Sequence, residues 1–225
     1  MLHDRSRTTP TQQVGRHFDR TASAFDSLYH GAAPSRLMGW INRRFRADID
    51  ERFRRTLDHV AAVRPRSVLD IGCGSGRYLE ALAQPDGRRL VGLDVSENML
   101  AMARSRLDRL GDCHVELVVA DFAQWPSDEV FEVVVAVGFF DYVADPAAAL
   151  VRMAQRAGHS VVASFPSRHW LRMPLRKARY LFKACPVRFY SRRQIASMAE
   201  AAGFKSWEID HTSRNRTSHF AVLLK

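Results

Sequence analysis

The spacing of apolar positions changes along the chain, and each change predicts a different kind of element. Residues 1–13 carry Arg, Thr, Pro and Gln without an apolar period and are expected to form a loose tail outside the fold. From Val14 to about Tyr29, Phe18, Ala22, Phe25 and Leu28 fall three or four apart, which puts them on one helical face. A longer helix is expected from about Ser35 to Val60. There Leu37, Ile41, Phe45, Ile49, Phe53 and Leu57 recur every four residues, with arginines on the other face. Pro65 ends it.

Beyond Pro65, short apolar runs alternate with helical patterns. Strands are expected at 67–71, 89–94, 115–120, 130–137 and 160–164, and helices at 76–83, 97–109 and 146–157. Such alternation implies a parallel sheet joined by right-handed crossovers. Residues 165–190 break the rhythm with Pro166, Pro174 and Pro186, and read as an insertion. A helix at 191–202, ended by Gly203, and two strands at 204–210 and 218–224 close the pattern as a hairpin-like pair. The fold class is therefore α/β: a three-layer, Rossmann-like sheet of seven strands, five parallel plus a C-terminal antiparallel pair. At 225 residues we expect a single domain over 14–225, with 14–62 as a helical cap and 165–190 as a lid-like insertion.

Composition narrows the class further. Hydrophobic residues at 46% and charged residues at 26% suit a folded enzyme rather than a disordered chain. No signal-peptide-like start and no apolar run near the roughly 20 residues of a membrane span is found, so a cytoplasmic protein is expected. Cys73, Cys113 and Cys185 lack metal-ligand or paired spacing, so neither a metal site nor a disulfide framework is expected. The 34 Lys+Arg against 24 Asp+Glu, a net +10, favour anionic partners.

The chemistry begins where the first strand meets its helix, at Val68-Leu69-Asp70-Ile71-Gly72-Cys73-Gly74-Ser75-Gly76. Gly72, Gly74 and Gly76 let backbone approach a nucleotide-like ligand at a helix N-terminus. Dinucleotide enzymes use similar glycines, but Asp70 stands where a dehydrogenase has an apolar residue, and a carboxylate there suits a cationic ligand. Asp94, ending the second strand, suits ribose hydroxyls. Asp121 and Phe122, ending the third, supply an acceptor and an aromatic wall for an adenine. Cys73 reads as a small packed residue, since nothing nearby supplies it a base.

Together these segments resemble class I S-adenosylmethionine-dependent methyltransferases, in particular the quinone-biosynthesis and small-molecule O- and N-methyltransferase branch. The resemblance rests on Leu69 to Gly76, Gly92-Leu93-Asp94-Val95-Ser96, Met99-Leu100 with Ala103, Ala120-Asp121-Phe122 and Phe131-Glu132-Val133-Val134. It implies S-adenosylmethionine as cofactor, with Gly72 and Val137 at its methionine end, Asp94 at the ribose, Asp121 at the adenine amine, and Val95 among the cofactor contacts. In that branch a Glu-His-Val pattern often follows the fourth strand. Here Asp141-Tyr142-Val143 takes its place, so the histidine is replaced by Tyr142.

The acceptor side is less specific. Candidate bases are Asp141, Tyr142, His169 and His30, though in-line transfer to an acceptor that is already nucleophilic needs none. From Phe165 to Arg193 the chain holds Arg168, Arg172, Arg176, Lys177, Arg179, Lys183, Arg188, Arg192 and Arg193 and no acid. Interleaved aromatics, among them Phe165, Trp170, Phe182 and Tyr190, suit a lid over a small, anionic, partly apolar acceptor, with Tyr142, Arg168, His169, Trp170 and Arg172 against it. The same pattern also suits RNA, a peripheral membrane contact, or a solvated basic face whose aromatics belong to the core. A non-catalytic cofactor-binding partner protein and a nicotinamide oxidoreductase are the remaining readings.

Overall fold

The computed structural model describes residues 15, 36–83, 87–111, 114–167, 188–212 and 216–225, with side chains at Gly15 and from residue 46 onward. The expected helix at 14–29, save Gly15, and the body of the insertion lie outside the described residues. Gly15 is helical and buried, and a Cβ on it would lie 3.3 Å from the Val95 carbonyl oxygen.

Helix α1 (Arg36–Val63) leads into strand β1 (Ser67–Ile71), followed by α2 (Arg77–Leu82), β2 (Arg89–Asp94) and α3 (Glu97–Leu107). A 3-10 turn (Asp108–Leu110), β3 (Val115–Val119), β4 (Phe131–Ala136), α4 (Pro146–Arg156) and β5 (Ala157–Pro166) continue the series. Helix α5 (Arg192–Ala201), β6 (Ser206–His211) and β7 (Ser218–Leu224) complete it. The strands form one seven-stranded sheet in the order β3-β2-β1-β4-β5-β7-β6. The first five are parallel neighbours, and β7 runs antiparallel to both β5 and β6. The expected α/β class and hairpin are therefore present, with β7 seated inside the sheet rather than at its edge.

Helix starts follow local chemistry. Ser96 accepts from Met99 N to cap α3, Asp145 accepts from Ala148 N with Pro146 behind it in α4, and Ser191 with Gln194 forms a capping box on α5. Strands β1, β2, β4 and β5 are largely buried, so they read as runs of apolar residues, whereas β3 at the edge of the sheet is half-exposed.

Two expectations change. Strand β5 extends through Pro166, and its residues Phe165 and Pro166 pair with His219 and Ser218 of β7, so Phe165 and Pro166, expected to open an insertion, belong to the sheet. Phe165 and Tyr190, read as lid aromatics, are core residues: Phe165 stacks on Phe140 at 4.2 Å and meets Tyr190 edge-on at 5.3 Å. Both are drawn in because the Ser167–Tyr190 bridge extends the sheet past β5.

Helix α1 also turns differently from its apolar period. Its inward face carries Asp48, Arg52 and Thr56 beside Ile49 and Val60, whereas Phe53 and Leu57 are only half-buried. Arg52 and Asp48 form an ion pair at 3.1 Å and each takes further partners from the sheet. Mutual neutralisation and hydrogen bonding let charged residues occupy a face that periodicity assigns to Phe and Leu.

Candidate active site

The strand order reverses between β1 and β4, and the crevice beyond their C-terminal ends is where open parallel sheets take ligands. Gly72, Gly74 and Gly76 lie there with φ of 71°, 54° and 78°, a conformation that side-chain-bearing residues rarely adopt. The loop is drawn onto β2, since Gly72 N and Cys73 N both donate to Leu93 O, at 2.8 and 3.0 Å. Among the described residues nothing lies within 4 Å of a Cβ placed on Gly74, and Gly76 caps α2 hard against Ala103 of α3.

Asp94 ties the site together. Its Oδ2 accepts from Gly74 N and its Oδ1 from Ser96 N, both at 2.9 Å, so one carboxylate fixes both the glycine loop and the start of α3. Beneath the loop, Asp70 is 2% exposed and its Oδ2 has no hydrogen-bond partner among the described residues. Burial, helped by the charge of Asp94, raises its carboxyl to about 8. The Cys73 thiol is pushed well up by burial and then by Asp70 and Asp94, which leaves it a packed neutral group, as its sequence context suggested.

The third strand's end carries Asp121 in a tight turn, its Oδ1 accepting from Ala123 N at 2.9 Å. Phe122, expected as an open wall, is instead 2% exposed. Its ring lies under the Arg152 guanidinium at 5.6 Å and meets Phe139 edge-on at 6.2 Å, so it presents no open face. Core packing claimed it because the turn after β3 folds back over α4, where Arg152 donates to the Trp125 carbonyl.

Beyond β4, Val137 is half-buried, and Phe139, which periodicity did not single out, stands at the mouth of the crevice. A Cβ on Gly72 would lie 3.3 Å from the Phe139 ring, which also packs edge-on against Phe140 at 5.5 Å. Two adjacent aromatics just past a strand end were the available signal: one enters the core and the other faces the crevice. Asp141 and Tyr142 are half-buried in the same turn, Tyr142 N donating to Phe139 O and Arg188 N to Asp141 O, each at 3.3 Å. Asp70, Asp94, the glycine loop, Val95, Asp121, Val137 and the Asp141–Tyr142 turn thus share the C-terminal end of the sheet. His30, Arg168, His169, Trp170 and Arg172 lie outside the described residues. Among the described residues no cluster of three or more His, Cys, Asp or Glu could hold a metal, and no helix is long and apolar enough to cross a membrane.

Comparison with known proteins converges on one family. Residues 42–209 match a family model described as a methyltransferase domain. A ubiquinone biosynthesis O-methyltransferase of Aromatoleum aromaticum is 30% identical over 172 residues, covering 71% of this chain and 72% of that protein. Its counterpart in Thiobacillus denitrificans is 32% identical, over 72% and 74%. In fold, the chain is similar to magnesium protoporphyrin IX methyltransferase from Synechocystis PCC 6803, solved with SAH bound. The TM-score is 0.76 at 18% identity, covering 96% of this chain and 100% of the other. With more than half its length inside that family model and two relatives at or above 30% identity, the chain belongs to the methyltransferase domain family, as a class I small-molecule S-adenosylmethionine-dependent methyltransferase.

Proposed function

We propose that the cofactor lies along the ends of β1, β2 and β3. The residues fit it: Asp70 offers a buried carboxyl oxygen without a partner, suited to the positive methionine end, and among the described residues nothing lies within 4 Å of a Cβ placed on Gly74. Asp94, held at the end of β2 by its bonds to the glycine loop and α3, would accept from the ribose hydroxyls, with Val95 beside them, and Asp121 would accept from the adenine amine. When bound, S-adenosylmethionine supplies a methyl carbon already attached to a good leaving group, so transfer is an in-line displacement. Replacing Asp94 with Ala removes the acceptor for Gly74 N and Ser96 N as well as the ribose contact. Calorimetric titration with S-adenosylhomocysteine is expected to show at least roughly 30-fold weaker binding. Unchanged affinity would remove Asp94 from the site.

For the acceptor, we propose a small, anionic, partly apolar molecule methylated on oxygen or nitrogen. The observation that carries this is the position of Ser167 and Arg188, the described residues that flank segment 168–187. The Ser167–Tyr190 bridge and the bond from Tyr190 N to Pro166 O at 2.8 Å bring them together beside β4, next to the Asp141–Tyr142 turn. Together with its flanks, that segment contributes the acid-free run of arginines and lysines noted above. A run of that charge would draw an anionic acceptor. Phe139 and Tyr142 would wall its apolar part.

Such an acceptor also accounts for the missing histidine. A carboxylate oxygen is ionised near neutral pH and can attack without a base, which leaves Tyr142 and Asp141 to position rather than deprotonate. Among the relatives, one is named a trans-aconitate 2-methyltransferase, 34% identical over 109 residues, whose named substrate is a polycarboxylate. The test is a methyl-transfer screen pairing each acidic metabolite with its amide or ester. Acceptance of the anionic member and rejection of the neutral one is the expected result. Equal transfer to both, or activity confined to RNA, would overturn the anionic small-molecule reading.

A further inference from the structure

The buried charges on α1 form a chain of bonds that ends at the crevice. Asp48 Oδ1 accepts from Thr212 Oγ1 and its Oδ2 from Ser218 Oγ at 3.2 Å, which ties α1 to the β6–β7 turn. Arg52, paired with Asp48 at 3.1 Å, reaches the other way and donates through Nη1 to Ser164 Oγ at 3.2 Å. The Ser164 hydroxyl also accepts from Gly138 N at 2.8 Å. Ser164 is 1% exposed, Asp48 2% and Arg52 9%, so the chain is dry along its length. A buried ion pair of this kind returns little net stability, so its presence calls for another account.

Its far end supplies one. Gly138 has φ of 83° and opens the turn that carries Phe139 against Gly72 and then Asp141 and Tyr142. We propose that Ser164, held by Arg52 and Asp48, is a positioning residue for methyl transfer: it fixes the Gly138 amide and thereby sets the gap between Phe139 and the glycine loop. The inference rests on the cofactor reading above, because the gap matters only if that crevice is the site.

Ser164→Ala tests it, since Arg52 stays paired with Asp48 and the fold keeps its charge balance. Calorimetric titration with S-adenosylhomocysteine is expected to show about tenfold weaker binding, and amide exchange at Gly138 to speed up by a similar factor. Val60→Ala, a buried apolar truncation in the same helix, serves as the comparison and is expected to lower Tm while affinity stays within about twofold. Binding by Ser164→Ala within about twofold of the parent, or an equal loss of affinity in Val60→Ala, would overturn the positioning role. Failure of the unaltered chain to bind would instead overturn the cofactor reading beneath it.

Discussion

Asp70→Asn is expected to melt at a higher temperature than the parent chain at pH 7 while losing its grip on the cofactor. In the unfolded chain Asp70 ionises near 3.8, but burial and Asp94 raise the folded value to about 8. Below about pH 4 both states hold the proton and the residue costs nothing. Between about 4 and 8 the unfolded state has released it and the folded state has not, so stability falls by about 1.4 kcal/mol for each pH unit. Above about 8 the loss levels off. The neutral, isosteric amide removes this penalty, a gain on the order of 4 kcal/mol at pH 7, or roughly 10 °C in a chain of this length. A cation brought to Asp70 favours its ionised form, so cofactor binding should release a proton, and the Asn variant should bind at least about 30-fold more weakly with no proton release. Melting curves from pH 4 to 9, with calorimetry in buffers of different ionisation enthalpy, check both halves. A variant less stable than the parent at pH 7 would mean that Asp70 is ionised in the free protein.

Gly76→Ala should have the opposite sign. The new methyl would stand 2.8 Å from Ala103 Cβ and 3.1 Å from its Cα, and Ala103 has no rotamer through which to retreat. The residue must also hold φ of 78°. About 1–2 kcal/mol for the left-handed backbone and 1–3 kcal/mol for overpacking sum to roughly 2–5 kcal/mol, a drop in Tm on the order of 10 °C. Because Gly76 N and O anchor the loop to Cys73 and Glu80, cofactor affinity should fall with it. Gly87→Ala is the control: it has a similar φ of 80° but nothing within 4 Å among the described residues, so it should show the backbone cost alone. Equal Tm losses in the two variants would remove the packing argument.

Asp70 and Gly76 are both legible in the amino-acid sequence, and the reason is locality. Glycines, strand ends and the acids that follow them lie within a few residues of the elements that position them, so period and spacing suffice. Legibility fails where a residue's role depends on distant partners. Arg52 reads as one more surface arginine until Ser164 and Asp48 are seen beside it. Phe122 and Phe165 read as ligand walls until Arg152 and Phe140 are found against them. Phe139 and Phe140 are indistinguishable as letters, and only the turn opened by Gly138 separates crevice from core.

The seating of β7 between β5 and β6 has a consequence for how the chain is made. Strand β6 leaves the ribosome before β7, the strand it pairs with, and β5 waits with one long edge unpaired. Until β7 arrives, a nascent chain with its parallel strands already folded exposes a hydrogen-bonding edge lined by Val161 and Val162. Such an edge is a template for another chain. Slow translation or truncation just before Ser218 should therefore yield aggregates rather than a smaller soluble enzyme.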